Sequence, residues 1–372
     1  MLSKIELGHE DYDVVCPSDY IIERMLKNDL LLPLDKDFGD TPNYLDNVAP
    51  YISETFGQIE ENGRNARDYS VGYMWGTVGL IYNPKYIPDS EVSSWEVLRN
   101  PAYSGKVLMK DAFRDVYTAF LVALNRDGLD AGEKALETLT YDTSEESIAL
   151  VEDYLNSFRD AVCGWEADFG KEQMTKELAW INLSWSGDAQ WAIEEASHVG
   201  VDLKYLVPEE GSNVWFDGWC IPKYAKNIKA ASYFINYMCM PENAILNMEE
   251  IGYVSVIASP RILEWANDAD AYPNTSDLRY FFGPEADSVH VNNVLYPDQK
   301  VIEHCALMHD CGDKTEDLIN MWSRVKGDNL STGMVIFVCV VLTLIAIGFT
   351  IQAINKRRKR KLQQKKRNHK KQ

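Results

Sequence analysis

Short apolar runs rich in Val, Ile, Tyr and Trp alternate with segments whose apolar residues recur every three or four positions, from Tyr12 to about residue 326. Runs of the first kind read as strands and segments of the second as amphipathic helices, so the alternation predicts α/β lobes with largely parallel sheets. Strands are expected at 12–17, 71–83, 106–109, 180–184, 203–207 and 214–221, and helices at 115–125, 187–196, 228–240 and 314–325. Ser18 stands where a helix would be capped, with Ile21, Ile22, Met25 and Leu26 on one face behind it. Thr143 and Glu146 have capping-box spacing, and Ile148, Val151, Leu155 and Phe158 follow at helical intervals. Ligands of open α/β sheets sit beyond the carboxyl ends of strands, where Ser18, Asp111, Trp185 and Asp217 fall.

The pattern changes after residue 332. Residues 333–354 are twenty-two positions without a charge, long enough for a helix to cross a hydrocarbon core of about 30 Å. A basic tail, 355–372, follows at once, and the bias of Lys and Arg toward the cytoplasm predicts a single-pass membrane protein with its C-terminus inside and residues 1–330 outside. Residues 1–30 contain no apolar stretch of the kind a secretory leader needs, so a segment upstream of Met1 is expected.

The net charge of −20 is unevenly spread. Setting aside the eleven basic residues of the tail leaves 26 Lys and Arg against 57 Asp and Glu, so the body carries −31 and the tail +11. Such a body repels nucleic acid and suits cationic small molecules, although a charge excess also serves as a solvating coat. Six cysteines outside the apolar run permit disulfides without specifying pairs, and the spacing of His304, Cys305, His309 and Cys311 matches no zinc template. There is no GxSxG, HExxH, P-loop or dinucleotide fingerprint, so neither catalytic residues nor a cofactor are expected.

Aromatic residues interleave with acids in NLSWSGDAQW (182–191) and NVWFDGWCIP (213–222). Carboxylates hold ammonium groups, and ring faces add about 0.5–2 kcal/mol per cation–π contact while stacking on methylenes. From Tyr12 to about Lys326 the chain resembles the spermidine/putrescine-binding proteins of bacterial ABC transporters, through YDVVCPSDYIIERM, YSVGYMWGTVGLIYNP, SSWEVLRNPAYSGKVLMKDAFRDVY, LSWSGDAQWA, NVWFDGWCIPKYAKN and IGYVSV. The resemblance implies a two-lobed type II periplasmic-binding-protein fold with a hinge, here without its N-terminal strand and with one C-terminal transmembrane helix added. It implies that Ser18 and Tyr20 bond an ammonium and cover methylenes, that Trp185 walls the slot, and that Trp215 and Asp217 supply the platform and main carboxylate. Of the family's two acids three residues apart, only Asp115 is kept; the other falls at Ala112, with Asp111 beside it as a substitute, and a usual amide position falls at Met308.

Lobe 1 is then expected at 1–77 and 216–262 and lobe 2 at 83–210 and 266–326, with crossings near 77–83, 210–216 and 262–266. The implied function is delivery of spermidine or putrescine to ABC permease subunits. Alternatives are a binder of another organic cation or a metal ion, a membrane-anchored hydrolase using paired carboxylates such as Asp115 and Asp217, and a sensor domain, for which the tail is too short and basic to hold an output domain.

Overall fold

Thirteen consecutive residues, Ser70–Tyr82, form one long strand that is buried at every position except Tyr73. A run this apolar, with Val, Met, Trp, Leu and Ile on both faces, cannot face water on either side and must be covered twice. The computed structural model describes residues 1–8 and 12–327. Among them a nine-stranded sheet gathers around this strand. Its members are β1 (Leu31–Leu32), β2 (Ser70–Tyr82), β3 (Val107–Lys110), β4 (Val162–Glu166), β5 (Ile181–Trp185), β6 (Lys204–Leu206), β7 (Ser212–Pro222), β8 (Val254–Ser255) and β9 (Cys305–Leu307). Helices of nine residues or more are α1 (Asp19–Lys27), α2 (Pro50–Gln58), α3 (Phe113–Leu124), α4 (Glu145–Phe158), α5 (Ser186–His198), α6 (Ile228–Met238), α7 (Pro241–Ile251) and α8 (Thr315–Lys326).

The two halves of β2 belong to different surroundings. Ser70 to Thr77 pairs with β7, and Val78 to Tyr82 pairs with β5. One hydrophobic core gathers Ile22, Met25, Phe56, Trp75, Phe216 and Val256. A second contains Ile81, Leu108, Met174, Ala189, Ala192 and Leu203. Leu278, Phe281, Tyr296 and Ile302, grouped with the second lobe by the sequence pattern, pack in the first core. Trp75 is fully buried there, stacked on Phe281 with ring centroids 5.4 Å apart and planes 19° from parallel.

The α/β class and most elements match expectation to within two or three residues. The sheet is not largely parallel, however. Only β3 with β4, β3 with β5, and β7 with β9 run parallel, while every partner of β2 is antiparallel to it. Alternating βαβ units imply parallel neighbours, but a strand shared by two halves of a sheet takes its partners from returning chain. Residues 12–17 make only an isolated bridge, Val15 to Cys220, because their one partner is the far end of β7. The helix expected from a box at Thr143 is instead capped by Ser144, whose Oγ accepts from the Ser147 amide. The six cysteines are free thiols. The expected membrane span 333–354 and tail 355–372 lie outside the described residues, among which no helix is long and apolar enough to cross a membrane.

Trp75→Ala removes the largest side chain of the first core and should cost about 3–5 kcal/mol of unfolding free energy, read by urea denaturation. A loss below about 1 kcal/mol would show that the stacked rings do not carry this core.

Candidate functional site

A cavity of about 450 Å³ is lined by Ser18, Tyr20, Asp111, Asp115, Trp185, Trp215, Asp217 and Met308, which are all eight residues singled out from the sequence. Ala112, Phe113, Arg114, Tyr253 and Trp322 complete the lining. The chain brings these positions together from strand ends, helix starts and, contrary to the expectation for Asp217, the interior of a strand. Asp111 to Asp115 leads from β3 into α3, Trp185 ends β5 just before α5, and Trp215 and Asp217 lie in β7.

Asp217 and Ser18 face each other across a bridge between the two chain segments, and the Ser18 hydroxyl donates to Asp217 Oδ1 at 2.7 Å. Ser18 does occupy the N-cap position of α1, yet its side chain makes no capping bond, because the hydroxyl is committed to the carboxylate. One hydroxyl cannot saturate a carboxylate, which has about four acceptor sites. Burial raises the Asp217 pKa above the ordinary aspartate value and the Ser18 bond works against that rise.

Asp115 sits in the first turn of α3, and its Oδ1 accepts from Trp185 Nε1 at 3.0 Å and from Asn213 Nδ2 at 3.4 Å. Burial pushes its pKa up to about 6, the two donors pull against this, and the Asp217 charge adds to the rise. A third acid, Asp19, is buried one residue from Ser18 and is held up far above the usual carboxylate range by burial, with the neighbouring acids adding to the effect. Its oxygens are taken by the Tyr20 and Phe216 amides at 2.6 and 3.0 Å, so it fastens α1 to β7 and does not line the cavity. Asp111 is exposed at the rim and accepts from Trp322 Nε1 at 2.7 Å.

The rings form a continuous wall. Trp185 meets Trp215 edge-on with centroids 6.5 Å apart, and Trp215 meets Tyr253 at 5.4 Å. Both inner rings rest on glycines. A Cβ on Gly76 would stand 2.7 Å from the Trp215 ring and 2.5 Å from Ser186 Oγ, and one on Gly187 would stand 2.4 Å from the Tyr253 ring. These contacts are too short for any real side chain, so the wall stands where it does only because the backbone beneath is bare.

Four residues escaped the sequence reading. Tyr253, in the quoted IGYVSV, and Trp322, on α8, carry no signal that separates a cavity ring from a core ring. Phe113 and Arg114 lie inside KDAFRDVY, where only the acid positions carry the resemblance. The Arg114 guanidinium sits 4.3 Å from the Tyr20 ring centre and 4.4 Å from that of Phe113, so a cation of the protein already covers one face of Tyr20. Met308 is buried and offers a thioether where the resemblance implies an amide.

Comparison with known proteins follows the same lines. The family profile described as bacterial extracellular solute-binding protein matches residues 4–274. The spermidine/putrescine-binding periplasmic protein of Escherichia coli (strain K12) is 26% identical over 271 residues, covering 72% of this chain and 71% of that protein. The putrescine-binding periplasmic protein SpuD of Pseudomonas aeruginosa is 26% identical, covering 87% of this chain and 81% of its own. Among solved structures, the spermidine/putrescine ABC transporter substrate-binding protein PotD of Streptococcus pneumoniae superposes with a TM-score of 0.64 at 26% identity, over 88% of this chain and 87% of that one.

Gly76→Ala should push the Trp215 ring off its seat, lower stability by about 1–3 kcal/mol and shift the tryptophan emission. An unchanged melting temperature with an unchanged spectrum would contradict the seating described above.

Proposed function

The chain belongs to the bacterial extracellular solute-binding proteins, and from that premise we propose that it binds a polyamine of the spermidine and putrescine class outside the cytoplasm and hands it to the permease of an ABC importer. One observation carries the reading: Asp115 and Asp217 stand in a single cavity with a wall of Trp185, Trp215 and Tyr253. Carboxylates taken out of water without a counter-charge are costly, and a protonated amine supplies that charge while its methylenes lie along the rings. Relatives and structural neighbours named for these ligands support the assignment.

In this reading Asp217 is the principal partner of an ammonium, since only Ser18 competes for its oxygens in the hydrogen bonds described. Trp215 and Tyr253 flank it, and Asp115 with Trp185 holds a second position. Spacing between the acids and the shape of the ring wall select among amines, because carboxylates alone accept any cation. The two lobes are hinged where the chain passes between the cores at 77–83 and 210–216. The third passage is not confined to 262–266, because Phe281, Tyr296, Ile302 and Leu307 pack in the first core and Val294 between them packs in the second. The uncharged run 333–354 would tether the domain beside its permease and raise its local concentration there, with the basic tail inside.

Calorimetric titration of the full chain with putrescine and spermidine tests the assignment. Asp217→Asn should cost about 2–5 kcal/mol of binding free energy and Trp215→Ala about 0.5–2 kcal/mol. A change below about 0.5 kcal/mol for Asp217→Asn removes that residue from the site.

The pH dependence has a defined sign. Burial favours the neutral form of Asp115, so the folded protein holds a proton between the ordinary aspartate value and about 6. This group's contribution to ligand-free stability therefore declines as pH rises through that window. An ammonium binds the ionised form, so affinity should rise with pH up to about 6 and level off above it. Binding at pH 5 is predicted to be about tenfold weaker than at pH 7.5, and Asp115→Asn should flatten the profile. An equally steep profile in the variant would assign the titration to another group.

A further inference from the structure

Behind the ring wall lies an ion pair that does not line the cavity. Lys110, at the end of β3, is 1% exposed, and its Nζ bonds Asp188 Oδ2 at 2.6 Å and Glu166 Oε1 at 3.4 Å. Burying an ammonium costs more than an apolar side chain of the same size would, and such pairs are poor devices for stability alone. The neighbours of this pair give it another use. The same ammonium stands 4.2 Å above the Trp185 ring, whose Nε1 donates to Asp115 on the cavity side. The other oxygen of Asp188 accepts from the Tyr253 hydroxyl at 2.9 Å and, more loosely, from Lys171 Nζ at 3.4 Å. One pair thus grips two of the three wall rings from behind.

The grip also crosses between the cores. Tyr253 packs against the first core, and the adjoining β8 pairs with Met74 and Trp75. Asp188 lies in the first turn of α5, whose Ala189, Ala192 and Ala196 face the second core, as does Leu108 of β3. Moving the two halves apart must therefore break the Tyr253 bond to Asp188 and lift the ring from Gly187.

We propose that Lys110 and Asp188 are positioning residues that hold Trp185 and Tyr253 in place, and that the hydrogen bond from Tyr253 to Asp188 is the latch that keeps the cavity closed. The proposal rests on the polyamine reading for the identity of the ligand, but not for the latch itself. Lys110 pins Asp188 through Oδ2 and lies against the Trp185 ring, with Lys171 as a longer second contact on Asp188 Oδ1. Asp188 in turn holds Tyr253 against Trp215, so the ligand is enclosed by rings whose positions are set by a charge pair it never touches.

Tyr253→Phe is the sparing variant, since it keeps the ring on Gly187 and beside Trp215 and removes only the hydroxyl. Hydrogen–deuterium exchange of the ligand-free full chain is expected to rise about tenfold at amides of both 252–256 and 186–190. A hydroxyl with a local role would raise exchange in the first segment alone, and that result overturns the latch. In stopped-flow binding of putrescine and spermidine, the variant should dissociate about tenfold faster with little change in association. Asp188→Asn should do the same, and the double variant should be no worse than the single ones; additive effects would overturn the coupling. If the unaltered chain binds neither amine, the polyamine reading fails while the exchange measurement still decides the latch.

Discussion

A carboxylate taken out of water must find compensation, and three aspartates near the junction of the two cores meet this constraint differently. Asp19 is sealed in and spends both oxygens on backbone amides, which makes it a structural fastener. Asp115 is buried but faces the cavity, and two side-chain donors on one oxygen leave its ionisation finely balanced. Asp217 is half-buried with a single hydroxyl on one oxygen. Acceptor capacity left over in a dry, ring-lined space is the physical basis for expecting a protonated amine.

The scaffold keeps this arrangement in register. Strand β2 runs through both cores, so the two sides of the cavity are referred to one backbone. Glycines beneath Trp215 and Tyr253 let the rings settle against main chain, which is stiffer than a side-chain bed. Arg114 lies against Tyr20 and Phe113, adding a fixed positive charge to a site otherwise dominated by acids.

Much of this was legible in the amino-acid sequence, for identifiable reasons. Long, uniformly apolar stretches such as 70–82 announce a strand covered on both faces, and acids set among tryptophans mark a cleft, although Asp217 lies inside a strand and not at its end. Sequence patterns report local periodicity, so they miss what long-range pairing decides. The antiparallel partners of β2 are such a case, as is the reduction of 12–17 to a single bridge. The use of the Ser18 hydroxyl was open for the same reason, since a cap and a carboxylate partner look alike until residue 217 is placed opposite. Tyr253, Trp322 and Arg114 were invisible as site residues because an isolated aromatic or arginine has many possible surroundings. The ion pair of Lys110 and Asp188 joins residues 78 positions apart and has no local signature at all.

What decides the function is where an amine nitrogen comes to rest. A crystal structure of the chain grown with spermidine would show this directly. A nitrogen is expected within hydrogen-bonding distance of the Asp217 carboxylate, with aliphatic carbons lying along Trp215 and Tyr253. Ligand density elsewhere on the protein, or in this cavity with Asp217 turned away from every nitrogen, would contradict this expectation.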